Sequence, residues 1–433
     1  MNSRAKRFLT IVLYVTILAL TYLYVKSTHK SWINEVDKVI QYPENNIETQ
    51  PYYSIKAPYD NWNNSTDDKN RITKGAFVMV VRNEDHATMK GTIRSIEDVF
   101  NSKYGYPYIF LNDKEFTNQF KKHVQTMTKA PIYFGVIPKY MWEMPDFIDL
   151  NKFKENIDEN KNMYVHGDST SFRMMSRFFS KFIHKHPLLR NLEYYWRIQA
   201  GVEYLCEIDY DPFEMLKSKN IKYSWIIAPQ EYKLTIPTLW ETAREYIFNN
   251  YDKLPESSFA TYLLKASTNS SKKKQENIKF NTSKYGNIKD IANESSKYSD
   301  DDIDYNLCHF WSNFEIVSLD FLKSKPYQDF VDYLDKAGGI FYERWGDAPI
   351  RSIIASTLLS KSSFHWFEDF GYIHTGNTHC PSNPALFKKC SGCKITESVV
   401  YSSMCYKKYM KSTDISRNDL IKLLFPLKPN LQQ

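Results

Sequence analysis

The sequence predicts an α/β fold, a mixed sheet with flanking helices, from three consecutive features near residue 75. Residues 74–82 are almost continuously apolar and rich in β-formers, as expected of a strand buried on both faces of a parallel sheet. Over 85–100, four apolar residues recur at the spacing of one helix face: Met89, Ile93, Ile96 and Phe100. A second strand is predicted at 108–111, so the chain opens with a strand, a helix and a strand.

Further elements alternate along the chain. Apolar runs predict strands at 132–137, 194–198 and 223–227, and a long helical region at 171–186. Polar residues follow the first strands, which is how a nucleotide-binding sheet begins. Neither GxGxxG nor GxxxxGK[ST] occurs, so the sequence indicates neither a dinucleotide-binding fold nor a P-loop.

The first 25 residues predict a membrane anchor. Residues 8–25 carry no charge and are mostly aliphatic or aromatic, which suits a short transmembrane span. Basic residues precede the span, so 1–7 is predicted to be a cytoplasmic tail and all later residues luminal. A cleaved signal peptide is the alternative, although 22–26 lacks the small residues of a cleavage site.

Sequons and cysteines both fit a luminal body. Five Asn-x-Ser/Thr sequons lie in polar stretches, at Asn63, Asn64, Asn269, Asn281 and Asn293. Six cysteines follow the anchor, and an even number favours disulfides in an oxidising compartment: Cys206, Cys308, Cys380, Cys390, Cys393 and Cys405. Cys390 and Cys393 are alternatively half of a metal site, but no second CxxC or histidine pair accompanies them.

Composition divides the predicted luminal part into a stem and a folded domain. Residues 26–70 are polar and irregular, which predicts a stem between membrane and folded domain. The domain, 71–433, contains a Ser-, Asn-, Lys- and Asp-rich stretch at about 267–302 that predicts a disordered insertion. The net charge of +7 is scattered, so we expect no nucleic-acid partner. A positive surface suits a nucleotide-sugar diphosphate or an anionic glycan.

Six sequence blocks carry a family resemblance. Three lie late in the chain: YNLCHFWSNFEI at 305–316, FYERWGDAP at 341–349 and FEDFGYIH at 367–374. Three lie upstream: HPLL at 186–189, YYWR at 194–197 and CEIDYDPF at 206–213. In this order they resemble glycosyltransferase family 15, the fungal KTR/MNT-type α-1,2-mannosyltransferases. The resemblance covers about 71–410, apart from the insertion.

The resemblance implies both a fold and an activity. It implies a GT-A-like α/β fold in a single-pass type II protein of the Golgi membrane, with Mn²⁺ as cofactor. The implied reaction moves mannose from GDP-mannose to mannose-terminated N- or O-linked chains of cell-wall and secreted glycoproteins, with retention of configuration. Two alternatives stay open: transfer of mannosyl phosphate, or its promotion, and a non-catalytic paralogue that binds glycan.

The matched blocks also imply site residues. His374 corresponds to the imidazole ligand of the metal, with a buried structural histidine as the alternative. Glu315 matches a glutamate considered as nucleophile, because retention needs either a carboxylate nucleophile or same-face attack by the acceptor. Since Glu315 lies in an apolar run, a structural ion pair is its alternative. The residues expected to contact the donor are Arg82 at the end of the first strand, Arg197, Arg344 and Asp347.

Two positions depart from the family pattern. Gln199 stands where the family has the glutamate that binds the metal, and a neutral amide binds Mn²⁺ more weakly than a carboxylate. Phe172 stands where the family has a tyrosine whose hydroxyl belongs to the active site. Alternative acidic ligands are Glu203, or the Asp209 and Asp211 pair, which has DxD form.

Overall fold

The computed structural model describes residues 56–60, 73–265 and 305–424. The predicted anchor at 8–25, all five sequons and the insertion at 267–302 lie outside these residues. Among the described residues, no helix combines the length and the apolar character that a bilayer crossing needs.

A seven-stranded mixed sheet is the centre of the domain. Its strand order is β3-β2-β1-β4-β8-β6-β9. The strands are β1 (Gly75–Val80), β2 (Tyr108–Asn112), β3 (Ile132–Val136), β4 (Tyr194–Ile198), β6 (Tyr223–Trp225), β8 (Phe314–Ser318) and β9 (Phe364–Trp366). Two smaller sheets join β5 (Glu203–Tyr204), β10 (Tyr372–His374) and β11 (Asn377–His379), and β7 (Ser257–Ser258) with β12 (Ile415–Ser416).

Strand direction brings polar residues to one edge. β1 pairs in parallel with β2 and β4, and β2 with β3, so the carboxyl ends of four strands share an edge. β8 runs antiparallel to both of its neighbours, β4 and β6, and therefore begins at that edge. The loops that follow β1 and β4 and the loop that precedes β8 consequently converge, which is where an open α/β sheet binds its ligands.

Helices cover both faces of the sheet. In the described residues the α-helices are α1 (His86–Ile96), α2 (Ser102–Tyr104), α3 (Asn118–Gln125), α4 (Lys139–Trp142), α5 (Leu150–Asn160), α6 (Thr170–Arg177), α7 (Pro212–Ser218), α8 (Leu239–Asn249), α9 (Leu319–Lys323), α10 (Lys325–Ala337), α11 (Gly339–Tyr342), α12 (Asp347–Leu358), α13 (Pro384–Phe387), α14 (Met404–Lys411) and α15 (Arg417–Leu424). π-helical turns extend α1 through Glu97–Asn101 and α6 through Phe178–Phe182.

The predicted α/β fold is confirmed, and β1 shows why its sequence is continuously apolar. Phe77 and Met79 face one core, which α1 covers, while Ala76 and Val78 face a second core that includes Phe178. Because both faces of the strand are buried, no position needs a polar residue. The strand predicted at 194–198 has the same bounds as β4, and the helices predicted at 85–100 and 171–186 begin within one residue of α1 and α6.

Part of the predicted stem, residues 56–60, belongs to the folded domain, which corrects the prediction. Within 56–60, Ala57 is fully buried in the core, and the Tyr59 hydroxyl donates to the carbonyl oxygen of Gly75 at 2.6 Å. Asp60 pairs with Arg190 at 2.5 Å. The proline and aspartate composition of this segment resembles a linker, but its tertiary contacts make it part of the folded domain.

The disulfide prediction is confirmed, and the metal alternative for the cysteines is wrong. The bonds join Cys206 to Cys390, Cys308 to Cys405, and Cys380 to Cys393, so none of the six cysteines is free. The sulfurs of Cys206, Cys390 and Cys393 do lie within 4.8 Å of one another, but each is bonded to another sulfur.

Candidate active site

Three of the predicted site residues meet on adjacent elements. Arg197 of β4 lies opposite Glu315 of β8 in the antiparallel register, and its Nη1 is 3.9 Å from Glu315 Oε1. The same Nη1 donates a short hydrogen bond to Asp347, the first residue of α12. The guanidinium carbon also lies 3.4 Å from the centre of the Phe179 ring. Arg197 thus ties the sheet to the amino end of α12.

Glu315 is fully buried, and both of its carboxylate oxygens accept hydrogen bonds. Oε1 accepts from the hydroxyl of Tyr195 at 2.6 Å and from Arg351 Nη1 at 2.7 Å, and Oε2 accepts from the hydroxyl of Tyr223 at 3.1 Å. The side-chain exposure of Glu315 and of Arg351 is 0 %. The ion pair considered as an alternative is therefore present, while the role of nucleophile stays a prediction.

Arg351, which no sequence pattern singled out, is the closest cation to Glu315 among the described residues. This arginine lies inside α12, between isoleucines that face the core, and it also donates to the main-chain oxygen of Phe179. Burial opposes its charge, but Glu315 and the surrounding tyrosine hydroxyls together outweigh this effect, and the pKa of Arg351 lies well above its usual value. A lone arginine in an apolar helical run is the signal that could have found it, since such a charge is costly unless it is paired.

A second polar cluster lies between the loop that joins β6 to α8 and the loop before α12. Arg344 Nη2 pairs with Glu231 at 3.3 Å, and the Arg344 guanidinium lies 4.9 Å from the Phe172 ring. Glu343 accepts from the hydroxyl of Thr238 at 2.6 Å, and burial raises the pKa of Glu343 to about 7. Glu231 and Thr238 were not predicted, because neither stands out from its surroundings in the sequence.

Phe172, one of the two departures, lies beside the first turn of α12. Its ring stacks on His166 with centroids 4.9 Å apart, and its Cζ atom is 3.7 Å from the point where Gly346 would carry a Cβ. A tyrosine at this position would place its hydroxyl next to Gly346 and hence close to Asp347. Phenylalanine keeps the ring stacking and removes that polar group.

His374 at the end of β10 has the environment of a metal ligand. Its side chain is buried, and within the described residues its Nδ1 atom has no hydrogen-bond partner. Burial lowers the pKa of His374, so the ring is neutral, as a metal ligand must be. The Trp311 ring lies 5.3 Å away, and the main chain of Gly201, two residues after Gln199, contacts the imidazole. The orphaned nitrogen fits the Mn²⁺ implied by the resemblance.

None of the alternative acidic ligands joins His374. Glu203 pairs with Ile373 across the strands, and because neighbouring residues alternate faces, Glu203 lies on the face away from His374. Asp211 caps α7 and accepts from Tyr106, while Asp209 pairs with Lys389. In the described part of the chain, no group of three metal-binding side chains includes His374.

Arg82 lies at the same edge of the sheet, after β1. Its Nη2 donates to the hydroxyl of Ser171 at 2.9 Å, and its Nη1 is 3.8 Å from Asp113, which follows β2. The side chain is 44 % exposed. Arg82 is therefore the most accessible of the four residues that we expected to contact the donor.

Fold and site together define a class of enzyme. A mixed sheet carries, at the carboxyl edge of its parallel strands, accessible and buried arginines beside a histidine whose Nδ1 atom has no partner among the described residues. This arrangement is typical of α/β enzymes that bind a nucleotide at that edge, a class that includes glycosyltransferases.

Comparison with known proteins identifies the family. Residues 30–414 match the family described as glycolipid 2-alpha-mannosyltransferase. The O-glycoside alpha-1,2-mannosyltransferase omh1 of Schizosaccharomyces pombe is 36% identical over 342 residues, which are 78% of this chain and 79% of the relative. The chain therefore belongs to this mannosyltransferase family, glycosyltransferase family 15, as the sequence blocks predicted.

Solved structures agree with this assignment. The mannosyltransferase Ktr4p from S. cerevisiae in complex with GDP has a TM-score of 0.68 and 32% identity, covering 81% of this chain and 84% of Ktr4p. Core-mannan synthase A from Aspergillus fumigatus, in a Mn/GDP form, has a TM-score of 0.66 and 30% identity, covering 90% of this chain and 95% of that protein. The mixed α/β glycosyltransferase fold is thus shared with these two relatives.

The buried pair gives a testable prediction. Arg351→Met removes the closest cation from buried Glu315, and we expect the free energy of unfolding to fall by about 3–5 kcal/mol. The double variant Glu315→Gln/Arg351→Met removes both charges and should recover most of that loss. Chemical denaturation of the wild type, the single variant and the double variant measures these free energies of unfolding.

Transfer activity of the double variant then separates the two roles of Glu315. A structural pair predicts that activity returns with stability, whereas a nucleophile predicts a stable protein without activity. A double variant as unstable as Arg351→Met would contradict the charge-balance argument itself.

Proposed function

We propose that the chain is an α-1,2-mannosyltransferase that moves mannose from GDP-mannose to a mannose-terminated N- or O-linked glycoprotein chain, with retention of configuration. The observation that carries the proposal is the convergence of Arg82, Arg197, Asp347 and His374 at one edge of a sheet shared with GDP-bound relatives. The accessible cation at this edge, Arg82, stabilises the diphosphate that leaves when the glycosidic bond to GDP breaks.

Mn²⁺ is the cofactor that we propose, with His374 and Gln199 as its protein ligands. When bound, the ion neutralises charge that develops on the departing diphosphate. His374 offers a neutral imidazole, and Gln199 offers a neutral amide oxygen where the family pattern has a carboxylate. The protein alone therefore supplies little negative charge to a divalent cation, so the diphosphate oxygens must contribute to its binding.

We also propose that residues 8–25 anchor the enzyme in the Golgi membrane as a single-pass type II protein. The uncharged span and the basic residues before it support this orientation. In sealed Golgi vesicles the body should resist added protease until detergent is present. Cleavage of the body in intact vesicles would contradict the proposed topology.

The transfer reaction itself is the direct test. The full chain in detergent, given GDP-mannose, Mn²⁺ and a mannose acceptor, should release GDP and yield a product sensitive to α-1,2-mannosidase. Arg82→Ala should lower kcat/KM about tenfold or more, because it removes an accessible cation from the diphosphate site. Lys103→Ala, a change to an exposed cation on α2, is the control and should leave the rate unaltered.

The product also distinguishes the alternatives. Phosphomannose in place of neutral mannose would indicate mannosylphosphate transfer. A glycan-binding paralogue without catalysis is favoured by two observations, the absence of a carboxylate at position 199 and of a tyrosine hydroxyl at position 172. That alternative predicts acceptor binding with no GDP release under any of these conditions.

A separate prediction about the metal site can be tested by measuring metal binding, without any measurement of transfer activity. Calorimetry of the wild type should show weak Mn²⁺ binding alone and stronger binding with GDP. Gln199→Glu should strengthen binding without GDP roughly tenfold to a hundredfold, since a charged ligand is worth on the order of 1–3 kcal/mol. His374→Ala should abolish the binding that GDP promotes, whereas the control His365→Ala on β9 should not. Tight Mn²⁺ binding by the wild type without GDP would show that another carboxylate supplies the missing ligand.

A further inference from the structure

Two loops expose large apolar side chains that the core does not use. Loop A, residues 161–169, exposes Met163 at 63% and Val165 at 72%. Loop B, residues 230–236, exposes Tyr232 at 72% and Leu234 at 67%. A single exposed apolar side chain is common on a protein surface, but a group of them indicates a binding surface for a ligand or a partner.

Both loops meet at Arg344. The Arg344 guanidinium lies 5.5 Å from the ring of Tyr164 in loop A and pairs with Glu231 of loop B at 3.3 Å. Arg344 is two residues before Gly346, which precedes α12 and the Arg197–Asp347 pair. Both loops therefore border the segment that leads to the proposed active site, and we call their exposed apolar side chains the rim.

Main-chain hydrogen bonds hold both loops in place. In loop B, the amide of Glu231 donates to the carbonyl of Leu307 at 2.8 Å, and Thr235 accepts from the amide of Arg344 at 3.1 Å. In loop A, the carbonyl of His166 accepts from Arg173 Nη1 at 3.3 Å. Because the backbone is already ordered, a ligand that binds the rim has little ordering entropy to overcome.

The floor between the loops is polar and carries unused hydrogen-bonding atoms. Among the described residues, Nε of Arg344 and Nδ1 of His309 are buried without a hydrogen-bond partner. His309 is 4% exposed, and it interacts electrostatically with Glu231, Asp347 and Arg344, which places it at this floor. Buried polar atoms without partners are uncommon and need an explanation, for which a bound hydroxyl group suffices.

We propose that loops A and B form a subsite for the mannosyl residues of the acceptor that precede the one being modified. A pyranose combines apolar C–H faces with a ring of hydroxyls, which matches an apolar rim above a polar floor. Tyr232 offers a rigid ring with a polar tip to such a face. Since Glu231 neutralises Arg344, the subsite favours a neutral oligosaccharide over a phosphorylated one. The proposal rests on the proposed transferase function.

The ratio of acceptor efficiencies tests the subsite. We compare kcat/KM for α-1,2-linked mannotriose with that for mannose, using the full chain. Tyr232→Ala should lower this ratio roughly fivefold to tenfold, the size of one lost aromatic contact, whereas Tyr232→Phe should keep it. Tyr251→Ala is the matched control, because Tyr251 packs against Arg417 and touches neither loop.

Two results would overturn the proposal. One is an unchanged ratio in Tyr232→Ala and in Tyr232→Ala/Leu234→Ala. The other is an equal loss for both acceptors, which would place Tyr232 in the assembly of the reaction centre. If the wild type transfers mannose to neither acceptor, the proposed function fails, and mannotriose binding by NMR decides the subsite alone: binding that Tyr232→Ala weakens supports it, and absent or unaltered binding overturns it.

Discussion

The candidate active site, at the carboxyl edge of the parallel strands, depends on four buried charges on β4, β8 and α12. Two cations and two anions cancel there: Arg197, Arg351, Glu315 and Asp347. Removing each charge from water costs several kcal/mol, and this cost is offset only when every partner is in position. A structure in which one partner is misplaced is therefore strongly disfavoured, and the network specifies how its elements assemble.

The strand register follows from this requirement. Glu315 faces Arg197 only when β8 lies antiparallel between β4 and β6, with these two residues as direct partners. A slip by one residue would turn Glu315 to the opposite face, which is lined by Trp196, Ile316 and other apolar groups. Arg351 extends the constraint to α6, because it also donates to the main chain of Phe179 in the π-helical turn after that helix. Sheet, α6 and α12 are thus held together by one set of hydrogen bonds.

Local patterns in the sequence predicted five strands of the large sheet and two helical regions, but neither β8 and α12 nor the network that they form. β4 was predicted with its true bounds because five consecutive residues suit a strand that is buried on both faces. The insertion of β8 beside β4 joins positions separated by more than a hundred residues, and no local pattern encodes that pairing. The motif blocks identified Glu315 and Arg197 individually, while Arg351 lies two residues beyond the block at 341–349 and was not singled out. The stem was predicted to include 56–60 for a similar reason, since the contacts that tie this segment to the folded domain are with residues distant in sequence.

The arginines at the candidate active site fall into two groups that differ in solvent exposure and in how far their charge is compensated. Arg197 and Arg351 are buried, and each forms an ion pair with a carboxylate. Their positive charge is therefore already compensated. Arg82 is half exposed, and its nearest carboxylate is 3.8 Å away, so much of its charge is available to an incoming anion. A diphosphate that reached Arg197 would have to compete with Asp347 at a short hydrogen bond, whereas at Arg82 it would displace only a long and solvent-screened contact. The compensated pair therefore shapes the floor of the site, and in the function proposed above it is Arg82, together with the Mn²⁺ that we propose at His374, that supplies the positive charge for recognising the nucleotide.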